Sequence, residues 1–385
     1  MDIKKSPSGT VVKTIKGYFA FVPNPLPPTI EWTTRLTHSL SRADSALAKL
    51  SQQASSLPAP HLLIHSFITK EAVLSSRIEG TQATLEDMLA DAAGAHVERP
   101  SDEVQEVKNY LIALDHGLQR LSHFPLSLRL IREMHEKLMQ GVRGGHATPG
   151  EFRRTQNWIG VPGCTLMTAK YVPPAPDDLA TTLTAFESFL YDTTLPTLIH
   201  NALCHYQFEA IHPFLDGNGR TGRLLITLLL IERKLLPSPI LYLSAFFEET
   251  RADYYRHLYS VSAHGDWEDW LCYFLQGIAS QSEDVLSRTE RIRNLIKEWR
   301  EQVTKKSSKT TNLIIERLAT NPFLTISQTA QTLGIAFTTA QRAIEKLEAL
   351  SILTEKTANK KDRVYCATKI LAILQEPTKI TDSFL

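Results

Sequence analysis

Apolar positions recur at helical spacing over most of the chain. The first clear run spans about Trp32 to Ser55. "HLLIHSFITKEAVLSSRIEGT" predicts a second helix that stops near Gly80. "TLEDMLADAA" predicts a third, with Thr84 as its N-cap and Glu86 and Asp87 in the first turn, where acidic side chains complement the helix dipole. The same period predicts helices over 102–121, 127–140, 179–191 and 196–211, then an apolar helix reaching Lys234. Two or three more follow in "PILYLSAFFEETRADYYRHLYSVSAHGDWEDWLCYFLQGI", and a charged amphipathic helix covers 283–303. Two stretches break the period. The first thirty residues are mixed, with "FVPNPLPPTI" reading as an extended arm. "GGHATPGEFRRTQNWIGVPGCTLMTAKYVPPAPDDL" is rich in Gly and Pro, with short β-like pieces, and predicts a long loop or small hairpin. A loop of that length in a compact domain is usually functional.

Near the C-terminus the polar run "TKKSSKTT" predicts a linker. Helices at about 311–320, 326–333 and 337–350 follow it, and "ILTEKTANKKDRVYCAT" reads as two short strands around a basic turn. The expected class is all-α with a small β-hairpin. The expected division is an N-terminal helical region at 1–105, a core at 106–295, a linker at 296–309 and a C-terminal domain at 310–385.

Composition changes this picture little. With 385 residues the chain is long enough for two or three domains, and its formal net charge of +1 argues against a protein that coats nucleic acid along its whole surface. The four cysteines, Cys164, Cys204, Cys272 and Cys366, are scattered without a framework spacing, which predicts reduced thiols and a cytoplasmic protein. The N-terminus lacks the apolar core of a signal peptide, and no apolar run reaches the roughly 18 residues of a membrane span.

The chemistry concentrates in "HPFLDGNGRTGR", residues 212 to 223. Asn218 and Gly219 stand just before the apolar helix, and Asn218 is the candidate N-cap. The first turn then carries Arg220 and Arg223 on one face, although the helix dipole makes that turn positive and favours acids there. An anion offsets both repulsions. Gly217, Gly219 and Gly222 expose backbone N–H groups at the same point, and a helix N-terminus is a ready anion site. The combination predicts a polyphosphate, held by guanidiniums that make bidentate contacts. Asp216 is then a candidate for Mg²⁺, and His212 a base within reach of an incoming hydroxyl. "GNGRTG" also fits G-x-G-x-x-G, but a dinucleotide fold needs a strand before it and the preceding segment is helical. A Walker A loop needs Gly-Lys-Ser/Thr, which is absent. His200, Cys204 and His205 lack the spacing of a metal site and read as helix-face residues.

The stretch resembles the Fic family signature, H-P-F-x-[DE]-G-N-G-R-x-x-R, at every specified position: His212, Pro213, Phe214, Asp216, Gly217, Asn218, Gly219, Arg220 and Arg223. The resemblance covers about residues 30–290 and implies an all-α Fic core that transfers AMP from ATP to a protein hydroxyl. It implies that His212 deprotonates a Ser, Thr or Tyr of the target and that Asp216 binds Mg²⁺. Gly217, Asn218 and Gly219, with Thr221 and Gly222, would cradle ATP. Arg220 would contact its phosphates and Arg223 its γ-phosphate. "SSRIEG" looks like the family's inhibitory motif, [ST]-x-x-x-E-[GN], as Ser75, Glu79 and Gly80. Glu79 would pair with Arg223 where the γ-phosphate belongs. In some relatives the same glutamate positions a water that removes AMP, and the direction stays open here.

"GVPGCTLMTAKYVPPAP" looks like the family's flap, with Tyr171 and Val172 as candidates for target contact. Near the adenine, where relatives often carry Asn, this chain has Glu249 and Thr250, and Thr250 is the candidate there. Tyr254 and Tyr255 read as core. Residues 310–375 resemble a winged helix. Thr338, Thr339, Gln341, Arg342 and Lys346 would face a DNA major groove, and Lys360, Lys361 and Arg363 the phosphates. A protein-packing module is the alternative. The resemblance also implies homodimers and self-modification in trans. The reading is therefore an autoinhibited adenylyltransferase. The alternatives are removal of AMP, transfer of another phosphate-linked group by the same loop, and a nucleotide-sensing DNA-binding regulator.

Overall fold

A computed structural model describes the chain except residues 1–2, 4, 57–60, 96–100, 143–147, 162, 304–308, 358–362 and 379–385. A hairpin comes first, β1 (Gly9–Lys13) against β2 (Phe19–Pro23), antiparallel with Gly9 opposite Pro23. The helices follow: α1 (Thr34–Ser56), α2 (His61–Ile78), α3 (Leu85–Ala92), α4 (Ser101–Leu121), α5 (Leu128–Leu138), α6 (Pro176–Leu190), α7 (Thr197–Ile211), α8 (Asn218–Glu232), α9 (Ser244–Glu249), α10 (Arg251–His264) and α11 (Trp267–Val303). The chain is mostly helical, as the periodicity predicts. Thr84 caps α3 in a full capping box with Asp87.

The centre is the antiparallel pair α7 and α8. Both are apolar nearly all round, which suits helices buried on every side, and almost every residue of each is buried. They are surrounded by α2, α4, α5, α6, α10 and α11, so the loop joining them, residues 212–217, is held at a fixed place by the best-packed part of the molecule. The 37-residue α11 runs the length of α1 and continues unbroken to Val303, so the linker expected from 296 is helical over its first half.

After 308 come α12 (Lys309–Arg317), β3 (Phe323–Thr325), α13 (Ile326–Leu333), α14 (Phe337–Ala349), β4 (Thr354–Glu355), β5 (Val364–Cys366) and α15 (Thr368–Gln375). The three strands form one antiparallel sheet in the order β3-β5-β4. This unit is docked on the helices before it. The Ser66 hydroxyl of α2 donates to the Thr320 carbonyl at 2.9 Å. Asn321 Nδ2 donates to Leu89 O at 2.8 Å, and Gln328 Nε2 to Ala92 O at 2.9 Å. On α11, the buried Arg288 guanidinium donates to the carbonyls of Ile373 and Glu376.

β structure departs from expectation at the N-terminus. The N-terminal arm is a hairpin over its first part, with two strands too short for alternation to stand out. Of the two forms expected for the Gly/Pro-rich segment, the described residues take that of a long loop, closed by one antiparallel bridge from Ile159 to Tyr171. β2 lies against its far side: Phe21 N–H donates to Val172 O at 2.8 Å.

Candidate active site

α7 ends at His212, which takes a left-handed conformation (φ 49, ψ 60) and still donates its N–H to Phe208 O. That conformation costs a non-glycine residue on the order of 1–2 kcal/mol, so the surrounding contacts must hold it. Arg153 does much of this. Its Nε donates to His212 O at 2.9 Å, and its Nη2 to Pro174 O and Ile211 O at 2.6 and 3.3 Å. Asn157 Nδ2 donates to the carbonyls of His212 and Phe214. Phe214 is fully buried and stacks on His135, with ring centroids 3.7 Å apart. His135 accepts from Gly150 N–H through Nδ1, which leaves Nε2–H to donate to Asp216 O at 2.9 Å. Burial chiefly lowers the His135 imidazole to about 4, so it is neutral and fits this one-donor, one-acceptor role.

Asn218 is not the N-cap. Gly217 is, with φ 75, and Asn218 is the first helical residue. Its side chain instead ties the loop shut, accepting from Phe214 N–H at 2.8 Å and donating to Phe214 O at 2.9 Å. The first intrahelical bond of α8 is Thr221 N–H to Gly217 O, so the N–H groups of residues 218 to 220 precede the ladder. Arg220 is buried beside them. Its Nη2 meets only Met139 Sδ at 3.5 Å, its Nη1 faces Glu106 at 3.9 Å, and its Nε and Nη1 make no hydrogen bond. A buried guanidinium short of acceptors is costly, and a phosphate oxygen satisfies it.

Arg223 is fully buried, and its Nε and Nη2 are engaged. Its Nε donates to Ser75 Oγ at 2.8 Å, and its Nη2 to Ser75 O at 2.9 Å and to Glu79 Oε1 at 2.7 Å. Burial alone would raise the Glu79 carboxyl, but the Arg223 guanidinium outweighs it and holds that carboxyl below its usual range. Gly219 makes the approach fit: a Cβ there would fall 2.2 Å from Glu79 Oε1. Gly80 follows at φ 100, turning the chain out of α2. The segment is anchored by Thr81 Oγ1 on Glu106 at 2.5 Å and by the buried Glu71, which accepts from Ser244 N and Oγ and from Tyr110.

His212 has its side chain one-fifth exposed, and burial, aided by Arg153, lowers its imidazole to about 4. Asp216 is exposed and its Oδ1 accepts from Gly217 N–H. His200 and His205 are buried on α7: His200 Nε2 lies 2.9 Å from Phe189 O, and His205 bonds Gly222 O and Tyr254 OH.

Several candidates are placed otherwise than expected. Thr221 spends both its N–H and its hydroxyl on Gly217 O, so it has no donor left for a phosphate. Thr250 bonds Phe246 O at 2.6 Å and Tyr273 OH at 2.7 Å, which occupies its hydroxyl. Tyr171 and Val172 are buried. The Tyr171 hydroxyl donates to Ala210 O, its main chain pairs with Ile159, and Val172 O is taken by Phe21. They brace the loop from behind, and Trp158, Ile159 and Val161 form its exposed side. Tyr254 is core, as expected, but Tyr255, the next residue on α10, is 41% exposed and is not. On α14, Thr338, Thr339 and Arg342 are exposed, but Gln341 bonds Glu345 and Arg363 pairs with Glu355. Lys360 and Lys361 lie outside the described residues. Sequence reasoning missed His135, Arg153 and Asn157, which contact the loop only through space. No helix among the described residues is long and apolar enough to cross a membrane.

Residues 37–119 match the Fic/DOC family N-terminal model and residues 125–230 the Fic/DOC family model. The chain is 32% identical over 192 residues to the protein adenylyltransferase Fic of Drosophila willistoni, a match covering 48% of this chain and 34% of that protein. It is 33% identical over 192 residues to that of Drosophila grimshawi, covering 48% and 35%. The match thus spans about a third of the length of these curated relatives. Among solved structures, a Fic family protein from Desulfovibrio desulfuricans G20 superposes over 89% of this chain and 98% of its own, with a TM-score of 0.60 at 19% identity. Fic-1 from C. elegans superposes over 66% and 74%, with a TM-score of 0.52 at 22% identity. At these identities the structural likeness speaks for the fold.

Proposed function

The chain belongs to the Fic/DOC family, and from that premise we propose that it transfers AMP from ATP to a hydroxyl of a target protein and is held inactive by Glu79. The observation that carries this reading is the start of α8: free N–H groups and a buried Arg220 short of acceptors stand beside His212, while Arg223 is capped by a carboxylate from just past the end of α2. A triphosphate supplies what Arg220 lacks and competes with Glu79 for Arg223.

The residues divide the work. The N–H groups of 218–220 and Arg220 bind phosphate, and Arg223 takes the γ-phosphate once Glu79 is displaced. His212, neutral at physiological pH, accepts the proton of the attacking hydroxyl. That oxygen attacks the α-phosphorus in line and pyrophosphate leaves, so most of the catalysis is positioning and charge stabilisation. Asp216 offers one exposed carboxylate. This fits Mg²⁺, a hard cation that is usually bound by one or two carboxylates plus substrate phosphates and retained waters. When bound, the ion would neutralise phosphate charge. The exposed side of the 153–175 loop, at Trp158 to Val161, is the proposed seat of the target segment, with Tyr171 and Val172 as its support. The unit from 310 is proposed as a winged helix on its order of helices and strands.

The test uses α- and γ-labelled ATP with Mg²⁺ on wild type, Glu79→Gly and Glu79→Gly/His212→Ala, following label on protein, including the chain itself. Strong α-label for Glu79→Gly, weak for wild type and none without His212 is expected. γ-label alone, or no α-label in any sample, overturns the transfer reading. Loss of AMP from premodified protein would then assign the site to hydrolysis.

A further inference from the structure

Glu209 stands one turn before His212, at the end of α7, and no motif assigns it a part. Its Oε2 lies 4.0 Å from His212 Nδ1, and its own carbonyl oxygen lies 3.3 Å from the same nitrogen. Both acceptors of one residue therefore face one edge of the imidazole. The other carboxyl oxygen, Oε1, is buried and makes no hydrogen bond. It fits over the first turn of α8 only because residue 222 is glycine, where a Cβ would fall 2.5 Å from it. A carboxyl oxygen kept buried without a partner is destabilising, because its lost hydration is not replaced. Such a cost, carried in contact with the base, marks a functional constraint.

We propose that Glu209 is a positioning residue for His212: its main-chain and carboxyl oxygens hold the Nδ1–H edge of the ring, so that Nε2 stays free to take the proton of the acceptor hydroxyl. The proposal rests on the transfer reading above. In the step, the hydroxyl oxygen bonds to the α-phosphorus and its proton passes to Nε2. The bond from the α-phosphorus to the bridging oxygen breaks, its electron pair leaving on pyrophosphate. Nδ1 keeps its proton throughout, and the Glu209 carboxylate offsets the imidazolium that forms.

The groups facing Glu209 set its charge. Arg223 reaches it from α8, Glu79 from the end of α2, Tyr254 and Tyr255 from α10, and His212 from the loop, with Arg153 behind it. Burial is the largest influence and pushes the Glu209 carboxyl up to about 7, with Arg223 opposing and Glu79 adding to the rise.

The test compares Glu79→Gly with Glu79→Gly/Glu209→Gln. Glutamine keeps the size and an acceptor but loses the charge. We expect kcat for α-label transfer to fall about tenfold, a part of the roughly 10²–10⁴-fold that a general base supplies, with KM for ATP unchanged. The Glu209 carboxyl titrates at about 7 and the His212 ring at about 4, so the carboxylate is present only on the plateau: the loss is full above pH 7 and shrinks as the pH falls toward 5. Glu209→Asp, which keeps the charge, restores kcat in part. A second readout needs no turnover: in otherwise wild-type protein at pH 8, Glu209→Gln weakens the Nδ1–H tautomer of the His212 ring by NMR. An unchanged kcat, a loss confined to KM for ATP, or an unchanged tautomer overturns the proposal. Absence of transfer by Glu79→Gly alone sinks the transfer reading instead, and the ring tautomer still decides this one.

Discussion

Glu79 Oε1 lies 2.7 Å from Arg223 Nη2, a pairing between residues 144 apart in sequence. The two ends of this pair are unequal. Arg223 is almost wholly buried, whereas 35% of the Glu79 side chain is open to solvent. Arg223 therefore cannot go without an anion, but Glu79 can leave for water, which suits an occupant that is exchanged for a phosphate. Glu79→Gly should lower the Tm by about 2–4 °C without nucleotide, because it strands a buried guanidinium. ATP should restore it by binding only the folded state. Thermal melts with and without ATP check this, and an ATP-independent Tm would refute it.

Gly219→Ala brings a methyl onto Glu79 Oε1. Overpacking of this kind costs about 1–3 kcal/mol. In a Glu79→Gly background the clashing group is gone, so the cost should shrink well below that of the single change. Urea unfolding of the four-member cycle measures the difference; additive losses would show that the clash lies elsewhere.

Arg153→Lys should cost about 2–3 kcal/mol and lower transfer by more than tenfold. A lysine ammonium cannot span the carbonyls of His212, Pro174 and Ile211 that the guanidinium holds. His212 then loses the anchor of its left-handed backbone. Unfolding curves and initial rates in the Glu79→Gly background test both halves.

Stability should fall as the solution is acidified from pH 7. His135 and His205 are fully buried, and burial lowers their imidazoles to about 4 and about 3. In the unfolded chain both titrate near 6.5, so between about pH 6.5 and 4 the unfolded state binds more protons. Unfolding free energy then drops with pH, by up to about 1.4 kcal/mol per unit for each histidine. Denaturation at pH 7.5, 6 and 5, with ring NMR of the folded protein, would show the slope and the neutral imidazoles.

Long amphipathic stretches and the signature loop were legible because their signals are local: a 3.6-residue period, and glycines and arginines crowded into twelve positions. Asn218 shows where local reasoning stops. Its type favours an N-cap, yet Gly217 takes the left-handed cap and Asn218 ties down Phe214 instead. Arg153 and His135 act on the loop across 59 and 81 residues of sequence, and no spacing rule reaches that far. Tyr171 and Val172 were drawn inward because the unforeseen β1–β2 hairpin covers that side of the loop.

Ser66 and Glu79 bracket the same stretch of chain. Ser66, on α2, holds Thr320 of the C-terminal unit, and Glu79, one residue past the helix end, holds Arg223. Thirteen residues of helix set them roughly 20 Å apart. Thermodynamic linkage makes the consequence reciprocal: if displacement of Glu79 by nucleotide shifts α2, the docking of the C-terminal unit weakens by some factor, and undocking that unit strengthens nucleotide binding by that same factor.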